Sequence, residues 1–273
     1  MKKSIIYILL ASILMGSTFP IQKIGLLNVD PLTYIFLRFL IATFLSFLIF
    51  KKNDIFHSFI LGLVLSVGYI SQIIGIKYTT ASKSGFIVSQ YIIFIPIFSY
   101  IIEKEKITKY QSVGFLFSII GSYLLSGGIS GFNFGDLLMF ICAISFALHI
   151  VLITKFSKIV DEKHLLSFQF LTVTVISFIA LLIFKKSIYV TPVSFLTIFY
   201  TAIVGSIIVI YLQLKYQKNI GSNLTAILFL SQPIFSALLS FILLKESFTF
   251  KQIIGSSILL FGIIISNFSN KKN

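Results

Sequence analysis

Ten apolar runs of 19 to 24 residues follow one another along the chain, at 5–26, 32–50, 56–76, 84–102, 108–126, 135–154, 165–184, 192–214, 221–244 and 250–268. A helix needs about 20 apolar residues to cross about 30 Å of hydrocarbon, so each run is long enough to span. The breaks are short and polar: NVDP at 28–31, KKND at 51–54, EKEK at 103–106, the Gly-rich SGGISG at 126–131 and the charged KIVDEKH at 158–164. The punctuation is weakest between the third and fourth runs, in KYTTASKSG at 77–85. The runs are long and lack period-two alternation, which favours helices over strands. Helices also satisfy their backbone polar groups inside lipid. The pattern predicts an all-α integral membrane protein with ten transmembrane helices.

Composition agrees. The chain is 57% hydrophobic and only 11% charged, against about 25% charged in soluble domains. Its mean hydropathy is +1.03. The spans leave no stretch between them that would hold a soluble domain. The formal net charge of +14 points to anionic lipid headgroups rather than to nucleic acid, because no folded basic face is available. With the N-terminus in the cytoplasm, 14 lysines fall in inner segments and 7 in outer ones. The positive-inside rule then places both termini in the cytoplasm of a multi-pass cell-membrane protein. The start, MKKSIIYILLASILMGS, has the basic and apolar parts of a signal peptide. Its apolar run continues to Leu27 without a small-residue cleavage pattern, so it reads as the first span. Cys142 is the single cysteine and forms no internal disulfide.

The chain also repeats itself. Phe39, Leu40, Thr43, Ser46 and Phe47 recur 131 positions later as Phe170, Leu171, Thr174, Ser177 and Phe178. Lys77 and Tyr78 recur as Lys215 and Tyr216. Glu105, Gln111, Gly114 and Gly121 recur 141 positions later as Glu246, Gln252, Gly255 and Gly262. The matches keep their order across five spans, dividing the chain into repeats at 1–130 and 131–273. Five is odd, so the second repeat enters the membrane from the opposite side. Inverted repeats are a design of secondary transporters, with the substrate site near the midplane between the halves.

Several segments carry a family resemblance: MGSTFPIQKIGL (15–26), DPLTYIFLRF (30–39), TTASKSGFIVSQYIIFIPIFSYIIEKEKIT (79–108), GDLLMFICAISFALHIVLITK (135–155), and the stretch from GSNLTAILFLSQP at 221 to Ile265. A small-residue and proline run, a glutamate and a glycine-bearing span close each half, through Pro96–Glu105–Gly114 and Pro233–Glu246–Gly255. In these the chain resembles the EamA family of the drug/metabolite transporter superfamily along nearly its whole length. The resemblance implies ten helices and a central cavity lined by spans 1, 3, 4, 6, 8 and 9. It also implies efflux of small metabolites such as amino acids or related solutes. One departure is that the family often has Trp before the glycine of the first span. This chain has Met15 there and no Trp anywhere, which removes an aromatic stacking surface.

Intramembrane polar residues are functional candidates, although many only join helices. Thr18 and Gln22 share a face of span one around Pro20. Tyr69 and Gln72 share a face of span three. Span four offers Gln90, span eight Tyr211 and Gln213, and span nine Gln232 before Pro233. Proline removes a helix donor, so a carbonyl near Pro233 is a candidate to face the cavity. His149, near the middle of span six, is either a solute or proton ligand or a neutral histidine bonded to a neighbouring helix. The candidate substrate-binding set is therefore Thr18, Gln22, Tyr69, Gln72, Gln90, His149, Tyr211 and Gln232. Four further residues read as structural. Arg38, the only arginine, lies inside span two as an interhelix clamp, and Gln169 is its repeat mate. Glu105 and Glu246 anchor helix ends beside Lys104, Lys106 or Lys245. Lys23 snorkels at the outer end of span one. By these spans no carboxylate lies deep in the membrane. HExxH, GxSxG, Asp-rich metal and phosphate-loop motifs are missing, so neither an enzyme, a metal site nor a cofactor is expected. The expected partners are the lipid bilayer and a small-molecule substrate. A non-transporting membrane scaffold and a passive pore are the alternatives.

Overall fold

The computed structural model describes residues 1–50, 52–125, 133–245 and 249–267, and no strand occurs among them. Its helices are α1 (Lys2–Gly25), α2 (Pro31–Ile49), α3 (Ile55–Tyr78), α4 (Ala81–Ser89), α5 (Tyr91–Glu103), α6 (Lys109–Leu125), α7 (Phe134–Phe156), α8 (Leu166–Ile183), α9 (Pro192–Tyr200), α10 (Val209–Tyr216), α11 (Gly221–Phe229), α12 (Gln232–Leu244) and α13 (Phe250–Asn267). A π-helical stretch, Thr201–Ile208, joins α9 to α10, and a 3₁₀ turn, Gln217–Asn219, follows α10. Eight helical stretches are long and apolar enough to cross a membrane, with α4–α5, α9–α10 and α11–α12 each forming one of them. The other two expected segments, 108–126 and 250–268, correspond to α6, of 17 residues, and α13, of 18. The exterior is apolar, with Phe44, Leu48, Leu196 and Ile242 among the most exposed side chains, as a lipid-facing surface requires.

Local chemistry sets the helix starts. Asp30 caps α2 with Pro31 at the first helical position, Asp54 caps α3, and Thr191 caps α9 ahead of Pro192. Each side-chain oxygen accepts an amide that would otherwise lack a partner. Asn133 and Asp136 form a reciprocal capping box on α7. The weak boundary in KYTTASKSG is set by Thr80, whose hydroxyl accepts the Lys83 amide at 3.1 Å and starts α4.

Two expected spans are broken helices. The fourth is interrupted at Gln90, between α4 and α5, and the ninth at Leu230–Ser231, between α11 and α12. Pro233 therefore lies in the first turn of a new helix and does not kink an old one. The carbonyl four residues before it, on Phe229, does not face open space: the Ser12 hydroxyl of α1 donates to it at 3.2 Å.

Residues matched by the repeat touch one another. The Thr43 and Thr174 hydroxyls are hydrogen-bonded at 3.0 Å, and the Phe39 and Phe170 rings meet edge-on at 5.6 Å. A Cβ on Gly121 would lie 2.7 Å from the Gly255 carbonyl, and one on Gly262 would lie 2.9 Å from the Gly114 carbonyl. α6 and α13 thus cross where only glycine lets the backbones approach. Lys104 and Lys245, 141 positions apart, both end their helices in the left-handed region, with φ of 58° and 53°.

Replacing Gly121 with Ile should force α6 from α13 and cost about 2–3 kcal/mol, in the range for overpacked sites. The check is thermal unfolding followed through the thiol reactivity of buried Cys142. Ile120→Leu, on the exposed face, should leave the melting temperature unchanged.

Candidate functional site

A small cavity lies among the helices of the bundle. Met15, Leu65, Tyr69, Tyr91, Phe146, His149, Ile150, Ile210, Gln213, Phe229 and Gln232 line it. These come from α1, α3, α5, α7, α10, α11 and α12, which belong to expected spans 1, 3, 4, 6, 8 and 9. Its free volume is about 20 Å³, room for roughly one water. No carboxylate lines it.

Most of the lining is apolar, and its polar members differ in how they are satisfied. His149 Nε2 donates to Gln169 Oε1 at 3.2 Å, and Gln169 Nε2 donates to the Leu165 carbonyl at 2.8 Å. Gln169 therefore fixes the histidine ring and places a proton on Nε2. The Tyr69 hydroxyl donates to the Gly205 carbonyl of the π-helical stretch at 3.4 Å. By contrast, the Tyr91 hydroxyl and both polar atoms of Gln232 have no hydrogen-bond partner, although each residue is only 1% exposed. An unpaired buried polar group costs about 1–3 kcal/mol. Three such atoms beside one cavity mark where something else supplies the hydrogen bonds.

Of the eight candidate binding residues, Tyr69, His149 and Gln232 meet at the cavity. Thr18 and Gln22 lie one layer away. The Thr18 hydroxyl donates to the Met15 carbonyl, and Gln22 Nε2 donates to the Thr18 carbonyl. Gln72 is buried, with Oε1 unpartnered, but is not part of the lining. Gln90 does not reach the cavity, because its amide turns back to the Phe86 carbonyl at the helix break. Tyr211 does not reach it either: it stacks on Phe50 and bonds Lys215. Gln213 lies two residues on, about 200° around the helix, and takes that place. The preceding π-helical stretch shifts the register of α10, so face assignments from ordinary helical spacing fail there. Tyr91 was not singled out by sequence. Its only signal was its place at the break, directly after Gln90.

Arg38 is held beside this site and is only 1% exposed. Its Nε donates to Ser206 Oγ at 3.0 Å and Nη1 donates to Gln22 Oε1 at 3.3 Å. The guanidinium lies over the Tyr69 ring at 4.5 Å and the Phe39 ring at 5.4 Å. It clamps α2 to α1, α3 and the π-helical stretch.

Polar contacts close the bundle at both ends. Where α1 finishes, Lys23 donates to the Ile76 carbonyl at 2.8 Å and to that of Thr79, capping α3 instead of snorkelling. Lys83 pairs there with Asp136 at 2.7 Å. Where α1 begins, the Ser222 amide donates to Glu105 at 3.1 Å, and its hydroxyl bonds Glu103. Glu105 thus holds the start of α11, and the structure gives it no ion pair with Lys104, Lys106 or Lys245 among the described residues. Its repeat mate Glu246 lies outside the described residues. Gln217 bonds Thr154 across the same end, and Tyr7 stacks on Tyr216 at 4.4 Å.

Burial raises the Glu105 carboxyl above the usual carboxylate range. The neighbouring Glu103 charge adds to this, and the Ser222 amide works against it. A raised folded-state value means the folded state binds the proton more tightly. Stability is then gained as pH falls through that raised value and is complete below the ordinary one. Amides 221–224 should exchange more slowly at pH 5 than at pH 7.5, after correction for intrinsic rates. Glu105→Gln should flatten this dependence in a hydrogen-exchange measurement.

Comparisons with known proteins agree with this architecture. Residues 2–127 and 133–268 each match the profile of the EamA-like transporter family. An uncharacterized transporter of Archaeoglobus fulgidus is 40% identical over 101 residues, covering 37% of this chain and 32% of that protein. The chain thus spans about a third of that relative. An uncharacterized protein of Methanocaldococcus jannaschii, MJ1333.1, is 33% identical over 122 residues, covering 42% of this chain and 85% of that protein. A protein crystal structure superposes with a TM-score of 0.82 over 98% of this chain and 99% of its own, at 18% identity. That likeness concerns the fold alone.

Proposed function

The chain belongs to the EamA-like transporter family and is a multi-pass membrane transporter; from this premise we propose that it moves a small solute by alternating access around the central cavity. The unpartnered Tyr91 hydroxyl and Gln232 carboxamide carry the reading. A solute admitted when the bundle opens wider than this one-water space would supply the hydrogen bonds they lack. With Tyr69 and His149 they form the proposed binding site, and Gln213 joins them. Thr18, Gln22, Arg38 and Gln169 position it.

In this reading the ten helical segments are ten crossings, divided into inverted repeats at 1–130 and 131–273. The Thr43–Thr174 and Phe39–Phe170 contacts support a pseudo-two-fold axis between α2 and α8. The reciprocal glycine contacts of α6 and α13, the paired left-handed lysines and the helix breaks in both halves support it further. Related halves that close the bundle at both ends are what an exchange between two openings needs. The protein sits in the cell membrane with both termini cytoplasmic, as the lysine distribution supports. Export of metabolites such as amino acids or related solutes follows the family resemblance. The polar contacts that close both ends of the bundle favour a carrier over a passive pore.

In proteoliposomes loaded with labelled amino acids, nucleosides or a cationic dye, at least one solute should show saturable flux and counterflow. Non-saturating flux would mean a pore. Absence of flux for every solute with folded protein would overturn the transporter mechanism. Tyr91→Phe and Gln232→Met should each lower the flux at least about tenfold. They should leave the melting temperature unchanged or raised, because they remove unpaired polar groups.

A further inference from the structure

The charge balance around the cavity points to a solute class. Arg38 is a buried cation whose contacts are all neutral: Ser206, Gln22, and the rings of Tyr69 and Phe39. Every ion pair among the described residues lies at a helix end: Asp54 with His57, Asp136 with Lys83, Glu103 with Lys158, Asp30 with Lys186, and Glu162 with Lys218. None involves Arg38. Ser206 and Gln22 fix the guanidinium without neutralising it, and the Tyr69 ring beneath it is part of the cavity wall.

The cavity therefore sits in the field of one positive charge, in surroundings of low dielectric where that field is weakly screened. No carboxylate lines the cavity to offset it or to hold an ammonium group. Two of its unpartnered groups, the Tyr91 hydroxyl and the Gln232 amide, are donors suited to carboxylate oxygens. Gln232 Oε1 is left for a donor on the solute.

We propose that the transported solute carries a carboxylate, selected by the field of Arg38 and hydrogen-bonded by Tyr91 and Gln232. This rests on the reading of the cavity as the solute site and specifies its substrate class. Arg38 acts here as a positioning residue. It supplies charge through the Tyr69 ring and the adjoining space, and does not itself line the cavity. A cation faces repulsion at the same place with no counter-charge to relieve it.

The test is a set of matched pairs that differ only in charge: lactate and lactamide, benzoate and benzamide, alanine and alaninamide. Binding is read from the melting temperature of the purified protein, reported by Cys142, because a ligand of the folded state raises it. In the wild type, at least one acid should bind ten times or more tightly than its amide. Arg38→Gln should bring that ratio close to one, and Arg38→Lys should restore most of it. A merely structural arginine would lower stability without changing the ratio. Equal or tighter binding of the amides, stabilisation by no acid, or an unchanged ratio in folded Arg38→Gln would overturn the proposal. If Arg38→Gln does not fold, the wild-type ratios decide. Saturable flux of amides or cationic dye but of no acid would sink the carboxylate class while leaving the cavity as the solute site. Absence of flux for any solute would remove both.

Discussion

In hydrocarbon, a polar group has only the protein itself for a partner, and this constraint organises the whole molecule. Hydroxyls turn back to backbone carbonyls, as Thr18 does to Met15 and Ser177 to Val173. Asp30, Asp54, Thr80, Asn133 and Thr191 satisfy helix starts. Lys23, Lys83 and Glu105 hold helix ends to their neighbours. Even the Phe229 carbonyl, where α11 ends, is taken up by Ser12. Among the buried polar atoms left without a partner, those of the Tyr91 hydroxyl and the Gln232 carboxamide are the ones that line the cavity.

The same constraint accounts for Arg38. A buried charge is costly, and neutral hydrogen bonds with two aromatic faces offset only part of the cost. Its repeat mate, Gln169, uses the equivalent place to orient His149. One scaffold position thus serves two purposes: in the first half it carries charge, and in the second it fixes a ring. Positions that match in sequence thus carry different side-chain chemistry.

The segments from 2 to 25 through 166 to 183, and the apolar exterior, were legible because span length and hydropathy are local properties. So were the glycine matches, because close helix approach demands the same residue in both halves. Lys23 and Glu105 were recognised as end residues, but their partners were not. Ile76, Thr79 and Ser222 lie 53, 56 and 117 positions away, and no local pattern encodes such contacts. Gln90 and Tyr211 lie outside the cavity lining for a related reason. A helix break and a π-helical stretch rotate the faces that ordinary helical spacing assigns.

The sequence by itself determined the membrane solvent, the apolar runs and the polar residues available within them, since each depends on composition over a short window. Only the tertiary structure decided which polar groups end up satisfied. Tyr69, Tyr91, His149, Gln213 and Gln232 become one site because five packed spans bring them together and leave some of their bonds unmade. Satisfaction is a property of pairs distant in the chain, and only packing forms those pairs.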